Sequence, residues 1–231
     1  VRSRPAGQES LLGVKPTARQ VISALILLIA GCAPLISPPR HPLEEHGDVP
    51  WRSFTLGDII TYGRYGQLNL VGDLEVVTGT ETERFDAVLN IEERGTGYLR
   101  LYRFGVVVLD AVITDGVLSA VGNLSDRDTF AHMIPDFLSV FFWWPRFASA
   151  ELRHDTDGPL LVAGRDVLKL HGPTLTPLSQ TIAGGRHPLR VTYKAPRRFG
   201  DKWFPAKITA ERSSYRVNLA IRKAEFGRHS P

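Results

Sequence analysis

YRVNLAIRKA, from Tyr215 to Ala224, alternates Val217, Leu219 and Ile221 with Arg216, Asn218 and Arg222. Side chains of a strand point to opposite faces in turn, so this period of two predicts a strand with one face on a core and the other in water. Back along the chain the same character recurs. Gln67 to Val77 (QLNLVGDLEVV), Phe85 to Glu92, Tyr98 to Phe104, Val106 to Thr114 and Val117 to Val121 are short runs rich in branched and aromatic residues, separated by glycine- or charge-bearing turns. Pro159 to Leu170, Leu189 to Lys194 and Trp203 to Arg212 continue the habit. The order predicts a mainly β fold built as a meander of antiparallel strands.

One convincing helix interrupts the strands. In DRDTFAHMIPDFLSVFFWW, Asp126 to Trp144, the residues Phe130, Ile134, Phe137, Leu138, Phe141 and Phe142 recur at spacings of three and four, the period of a helix with one apolar face. Asp126 and Asp128 suit its start, Pro145 is expected to end it, and Pro135 to kink it or begin a second helix. A shorter helix is expected around Phe54 to Tyr65, against the glycines at 57, 63 and 66. Phe137, Phe141, Phe142, Trp143 and Trp144 place five aromatics in eight residues, a surface that must be buried. Two readings stay open: an ordinary core helix on a sheet, or a helix lining a cavity for acyl chains. The second makes Phe137, Leu138, Phe141, Phe142 and Trp144 the cavity walls. Val106 to Leu109, apolar on both faces, suits a strand that packs on one side and lines a hollow on the other.

The first 31 residues differ from the rest. Arg2, Arg4, Lys15 and Arg19 precede the uncharged run VISALILLIA, Val21 to Ala30, a basic region followed by an apolar one. A membrane span needs roughly 20 apolar residues, about twice this run, so an export signal is expected over 1–31. Ile29-Ala30-Gly31-Cys32 resembles the bacterial lipobox, whose cysteine becomes the lipidated first residue after cleavage. Cys32 is the only cysteine and has no disulfide partner within the chain. The expected organisation is a signal peptide at 1–31, a lipidated Cys32 with a proline-rich tether through residue 52, and one β-domain over 53–231. By resemblance to bacterial lipoproteins, Cys32 carries three acyl chains, palmitate among them. Ala33 stands where enterobacterial lipoproteins kept at the inner membrane carry aspartate, which favours the outer membrane.

Charge and motifs then exclude several classes. The chain carries 28 basic and 24 acidic residues, and removing Arg2, Arg4, Lys15, Arg19 and Glu9 with the signal leaves 24 and 23. The near-neutral remainder gives no general argument for nucleic acid. His41 and His46 flank Glu44 and Glu45 in the tether, but among these prolines a solvated linker is favoured over a metal site. There is no G-x-S-x-G turn, no phosphate-binding loop and no histidine pair at helical spacing. Asp110, Asp115, His132, His154 and His171 show no spacing that favours hydrolysis over turn chemistry and surface polarity. The expectation is a protein that is not an enzyme and takes no cofactor or metal.

GYLRLYRFG, Gly97 to Gly105, leads through Leu109-Asp110 to Thr114-Asp115-Gly116, and Trp203-Phe-Pro-Ala-Lys-Ile208 leads into the final strand. With the helix and the lipobox, these resemble the lipoprotein-carrier superfamily of the LolA and LolB proteins over roughly residues 65 to 225. The resemblance implies an incomplete antiparallel β-barrel, a half-barrel curled around one or two helices, whose apolar interior receives lipoprotein acyl chains. It further implies a membrane-anchored member at the periplasmic face of the outer membrane, handling acyl chains or lipidated cargo for transport or localisation. The receptor of that family exposes an apolar residue on a hairpin tip, and Phe104 before Gly105 is the matching position. Two other classes remain: a structural or assembly lipoprotein whose β-domain binds another envelope protein, and a lipoprotein hydrolase.

Overall fold

The computed structural model describes residues 51–92, 96–114, 117–122, 127–184 and 187–227. Cys32, the lipobox, His41, His46, Asp115 and Asp126 lie outside the described residues.

A short 3-10 turn, Trp51–Ser53, leads into helix α1, Leu56–Gly63. Thr55 caps α1: its hydroxyl accepts the Asp58 N–H at 3.2 Å, and the Asp58 carboxylate accepts the Thr55 N–H at 2.8 Å. This reciprocal box satisfies two helix-end donors and offsets the poor helix propensity of Gly57 and Gly63. Five strands follow: β1 Gln67–Thr78, β2 Glu81–Glu92, β3 Gly97–Arg103, β4 Val106–Thr114 and β5 Val117–Gly122. Helices α2, Arg127–Ser139, and α3, Trp144–Phe147, come next. The chain then runs through β6 Glu151–His154, β7 Pro159–Ala163, β8 Asp166–Leu170, β9 Pro177–Ile182, β10 Leu189–Phe199, β11 Lys202–Arg212 and β12 Tyr215–Gly227.

All twelve strands form one antiparallel sheet in the order β5-β4-β3-β2-β1-β12-β11-β10-β9-β8-β7-β6. Each strand pairs with its neighbours in sequence except at two places. First and last strands join, from Gln67 opposite Gly227 to Val77 opposite Arg216, whereas β5 and β6 remain unpaired edges. The sheet is an incomplete barrel, and the chain crosses its opening as α2 and α3. At the β1–β12 seam the register shifts between Val71 and Gly72, and a Cβ on Gly72 would lie 2.4 Å from the Ala220 carbonyl oxygen. Only glycine lets the two backbones approach so closely.

Burial follows the alternation. Leu68, Leu70, Leu74 and Val76 of β1 and Val217, Leu219 and Ile221 of β12 are buried, with Asp73, Arg216 and Arg222 exposed between them. Phe130, Met133, Ile134, Phe137 and Leu138 of α2 join this core, and the Phe130 ring meets Phe85 of β2 edge-on at 6.3 Å. Among the described residues no helix is long and apolar enough to cross a membrane.

Four expectations are revised. Pro135 lies inside α2 and starts no second helix. The helix ends at Ser139, well before Pro145, which sits in the first turn of α3, where its missing N–H costs nothing. The run from Pro159 to Leu170 is two strands, turned at Gly164 with φ +63°. β6 and β9 were not expected, because ELRH and PLSQTI lack an apolar period and owe their form to neighbouring strands.

Phe137 is 1% exposed and stacks edge-on against Phe141 at 5.3 Å. Phe137→Ala is expected to cost about 3–5 kcal/mol of stability, read as a lowered urea midpoint at unchanged slope.

Candidate functional site

Helix α2 enters the half-barrel with its apolar face down, and polar contacts fix where it stops. Asp136 receives the Arg212 guanidinium at 2.5 and 3.1 Å and the Tyr215 hydroxyl at 2.5 Å, tying the helix to β11 and β12. The hydrogen bond to Asp136 raises the Arg212 pKa, while burial is the main cause that raises Tyr215. On the far side Arg146 of α3 pairs with Asp166 of β8 at 2.9 Å. The two helices are thereby tied to the middle of the sheet at β11 and β12 and nearer its β6 edge at β8.

The end of α2 is unusual because it is buried. The turn that follows Ser139 carries the carbonyls of Val140 and Phe141 into the interior, and away from water each costs about 1–3 kcal/mol if unpaired. Two tyrosines supply donors: the Tyr65 hydroxyl donates to the Phe141 carbonyl, and the Tyr193 hydroxyl to the Val140 carbonyl at 3.0 Å. Burial pushes both phenols above their ordinary value of 10.0, and for Tyr65 the neighbouring Tyr193 adds to the effect. Gly63 at the end of α1 lets Trp143 close over this point, since a Cβ there would meet the indole at 2.3 Å.

Residues 138–143 separate two cavities, apart from a wider hollow of about 1310 Å³ that Leu74, Phe85, Ile208 and Leu219 help to line. Leu138, Ser139 and Phe142 face a cavity of about 480 Å³, bounded across the opening by Ile91, Gly97 and Ile113 and by Pro135 and Pro145. Val140, Phe141 and Trp143 face a second cavity of about 260 Å³, whose other walls include Tyr65, Tyr193 and Phe204. Of the five residues expected as cavity walls, Leu138 and Phe142 border the first cavity and Phe141 the second. Phe137 and Trp144 border neither and belong to the packed interior, Trp144 with its ring edge-on to Tyr65 at 4.5 Å. The segment therefore packs in the core at Phe137 and Trp144 and borders hollows at Leu138, Phe141 and Phe142. The contribution of Tyr65, Tyr193, Thr174 and Thr176 was not foreseen, since they come from three separate segments with no shared sequence pattern.

Phe104 stands apart from both cavities. It and Gly105 make the two-residue turn between β3 and β4, with φ of +52° and +77°. Turns of this class favour Asn-Gly, because a bulky residue at positive φ is strained. Phe104 is also 97% exposed, and Val106 beside it 65%. Val107 is exposed too, and Val106 to Leu109 border neither cavity, whereas Phe104 stands at the rim of a wider hollow with Tyr102, Lys194 and Lys207.

The polar candidates are engaged separately. Asp110 is held by Arg100 at 2.5 Å, His154 stacks on Trp51 at 5.6 Å, His171 meets the Thr174 hydroxyl at 2.9 Å, and His132 is exposed on α2. Among the described residues no three His, Cys, Asp or Glu side chains are grouped to hold a metal.

No family model and no curated protein matches the chain. Among solved structures, a LolA superfamily protein from Nitrosomonas europaea aligns at TM-score 0.50 and 10% identity, over 78% of this chain and 96% of its own. The fold is LolA/LolB-like. An outer membrane lipoprotein-sorting protein domain from Vibrio parahaemolyticus aligns at TM-score 0.43 and 11% identity, over 74% and 90%. A DUF1329 family protein from Desulfovibrio piger aligns at 0.44 and 10%, also over 74% and 90%.

The raised tyrosine pKa values set an alkaline limit. Both phenols must stay protonated in the folded state, so their contribution is whole below pH 10.0 and is lost as pH rises toward their folded values. Tyr65→Phe and Tyr193→Phe should each cost about 1–3 kcal/mol at neutral pH by orphaning a carbonyl. The double variant should show a shallower fall in denaturant midpoint above pH 10.0, measured by urea unfolding across the alkaline range.

Proposed function

We propose that this chain is a lipid-anchored protein of the bacterial envelope that takes acyl chains, or the acylated end of a lipoprotein, noncovalently into the cavity walled by Leu138 and Phe142. The observation that carries this reading is the cavity itself, about 480 Å³ of largely apolar space beside the helix that crosses the sheet opening. Its size falls within the roughly 300–1,000 Å³ of ordinary ligand pockets. Each methylene moved out of water contributes about 0.8 kcal/mol, so a cavity that shelters only part of a chain yields it to a bilayer that shelters the whole. Such a site transfers its ligand reversibly and needs no catalytic group.

Cys32 supplies the anchor in this reading, and the outer membrane is the favoured site. Phe104 supplies a contact with lipid: an exposed aromatic held in a strained turn gains most by entering an apolar phase. A second reading, docking to another envelope protein, draws on Val112 and Val117, both exposed on the β4–β5 hairpin.

Protein with Cys32→Ser and lacking residues 1–31 is expected to co-purify with lipid by mass spectrometry and to take up a fluorescent fatty acid. Phe142→Asp should weaken uptake at least about tenfold at unchanged circular dichroism, since a carboxylate in an apolar cavity is poorly solvated. An empty protein that takes up no probe overturns the carrier reading and leaves protein docking. Separately, Phe104→Asp should leave fatty-acid uptake intact while slowing transfer of bound probe to vesicles. Equal transfer rates would remove Phe104 from the mechanism.

A further inference from the structure

The smaller cavity is built differently from the larger one. Phe141, Trp143 and Phe204 make an aromatic wall, but the β8–β9 loop and β10 bring hydroxyls to the lining. Thr174 and Thr176 are 4% and 3% exposed, and Tyr193 stands beside them in the lining. The threonines form a chain: His171 Nδ1 lies 2.9 Å from Thr174 Oγ1, which lies 2.8 Å from Thr176 Oγ1. Each hydroxyl has one proton to give. When His171 Nδ1 donates, Thr174 donates onward, and the Thr176 hydroxyl proton is left for whatever occupies the cavity. Buried polar groups are almost always paired, so the spare Thr176 proton marks a wall made for an occupant rather than for packing alone.

The mouth adds a charge. Lys202, at the start of β11, donates to the Arg64 carbonyl at 3.0 Å, and among the described residues no carboxylate pairs with it. Asp201 also borders the cavity without forming an ion pair with Lys202. An ammonium with donors to spare, at the entrance of an aromatic chamber, is complementary to an anion attached to an apolar body.

We propose that this cavity is a second binding site, separate from the acyl cavity, for a small amphiphile with an anionic head. The head meets Lys202 and the apolar part lies against Phe141, Trp143 and Phe204. The volume of about 260 Å³ limits that part to a short chain or a single ring. A free amphiphile and the partly extracted end of a membrane lipid share this chemistry. The site does not depend on acyl binding in the larger cavity.

The test is titration of the full-length protein with octyl phosphate and with 1-octanol, followed by tryptophan fluorescence, because Trp143 and Trp203 both border the cavity. Octyl phosphate is expected to bind at least about tenfold more tightly than the alcohol, the worth of one charge-assisted hydrogen bond. Lys202→Met should remove that preference while Lys202→Arg retains it, both at unchanged thermal stability. Ile113→Asp, which addresses the other cavity, should leave octyl phosphate binding in place. Flotation with phosphatidylglycerol vesicles that is lost in Lys202→Met identifies the membrane as the source of the head, and absent flotation with intact octyl phosphate binding identifies a free amphiphile. Equal affinity for the two probes, a preference that survives Lys202→Met, or loss of octyl phosphate binding in a folded Ile113→Asp overturns the proposal.

Discussion

An apolar concave face that does not close on itself is the constraint on which this structure depends. Leucine, isoleucine, valine and phenylalanine side chains line the inside of the sheet from β1 to β4 and from β10 to β12. A closed barrel buries such a face by curling until its edges meet. Here β5 and β6 stay apart, so the residues between them must cover what the curl leaves open. The sequence at this point is correspondingly extreme, with five aromatics in the eight residues from Phe137 to Trp144. Burial of one such ring contributes on the order of 1.5–3 kcal/mol, which makes the lid part of the core rather than an addition to it.

Covering the opening with a helix brings backbone polarity into the interior. The turn after α2 lies over the core, where the carbonyls of Val140 and Phe141 have no water to turn to. Tyr65 and Tyr193 donate to Phe141 and Val140, and Asp136 anchors the preceding turn to Arg212 and Tyr215. These contacts hold residues 138–143 in an irregular course, and that course separates the two cavities. Apolar coverage, polar satisfaction and division of the interior are consequences of one short segment.

How much of this was legible depended on whether the cause was local. The alternation in β12 and β1 declared both strands and their buried faces, because each reports a single environment along its length. ELRH in β6 does not: its strand form comes from pairing with β7 at an exposed edge. The apolar period located α2 but not its end, since it runs on past Ser139 to Phe142, while the turn that follows the helix is held by Tyr65 and Tyr193, more than fifty residues away on either side. Leu138, Phe141 and Phe142 were legible as cavity walls because bulk and spacing mark them. Thr174, Thr176 and Lys202 were not, because a cavity is a relation among elements and leaves no period in any of them. Phe104 could be placed in a turn from Gly105 and the flanking strand patterns, but its exposure is a property of the folded hairpin.

The β1–β12 seam also orders events in time. Gln67 faces Gly227, so the contacts that join the two halves of the sheet are among the most distant along the chain, and loop closure of that length makes them late to form. Strands β1 to β5 can zip as successive hairpins while the remainder is still being made or delivered. Their concave face stays wet until the last thirteen-residue strand arrives. During that interval β1 presents an unpaired edge beside exposed leucines, a combination prone to pairing with other chains. A polypeptide with this topology therefore has most need of a protecting chaperone in the interval before β12 joins β1, and loss of that strand would prolong the vulnerable state indefinitely.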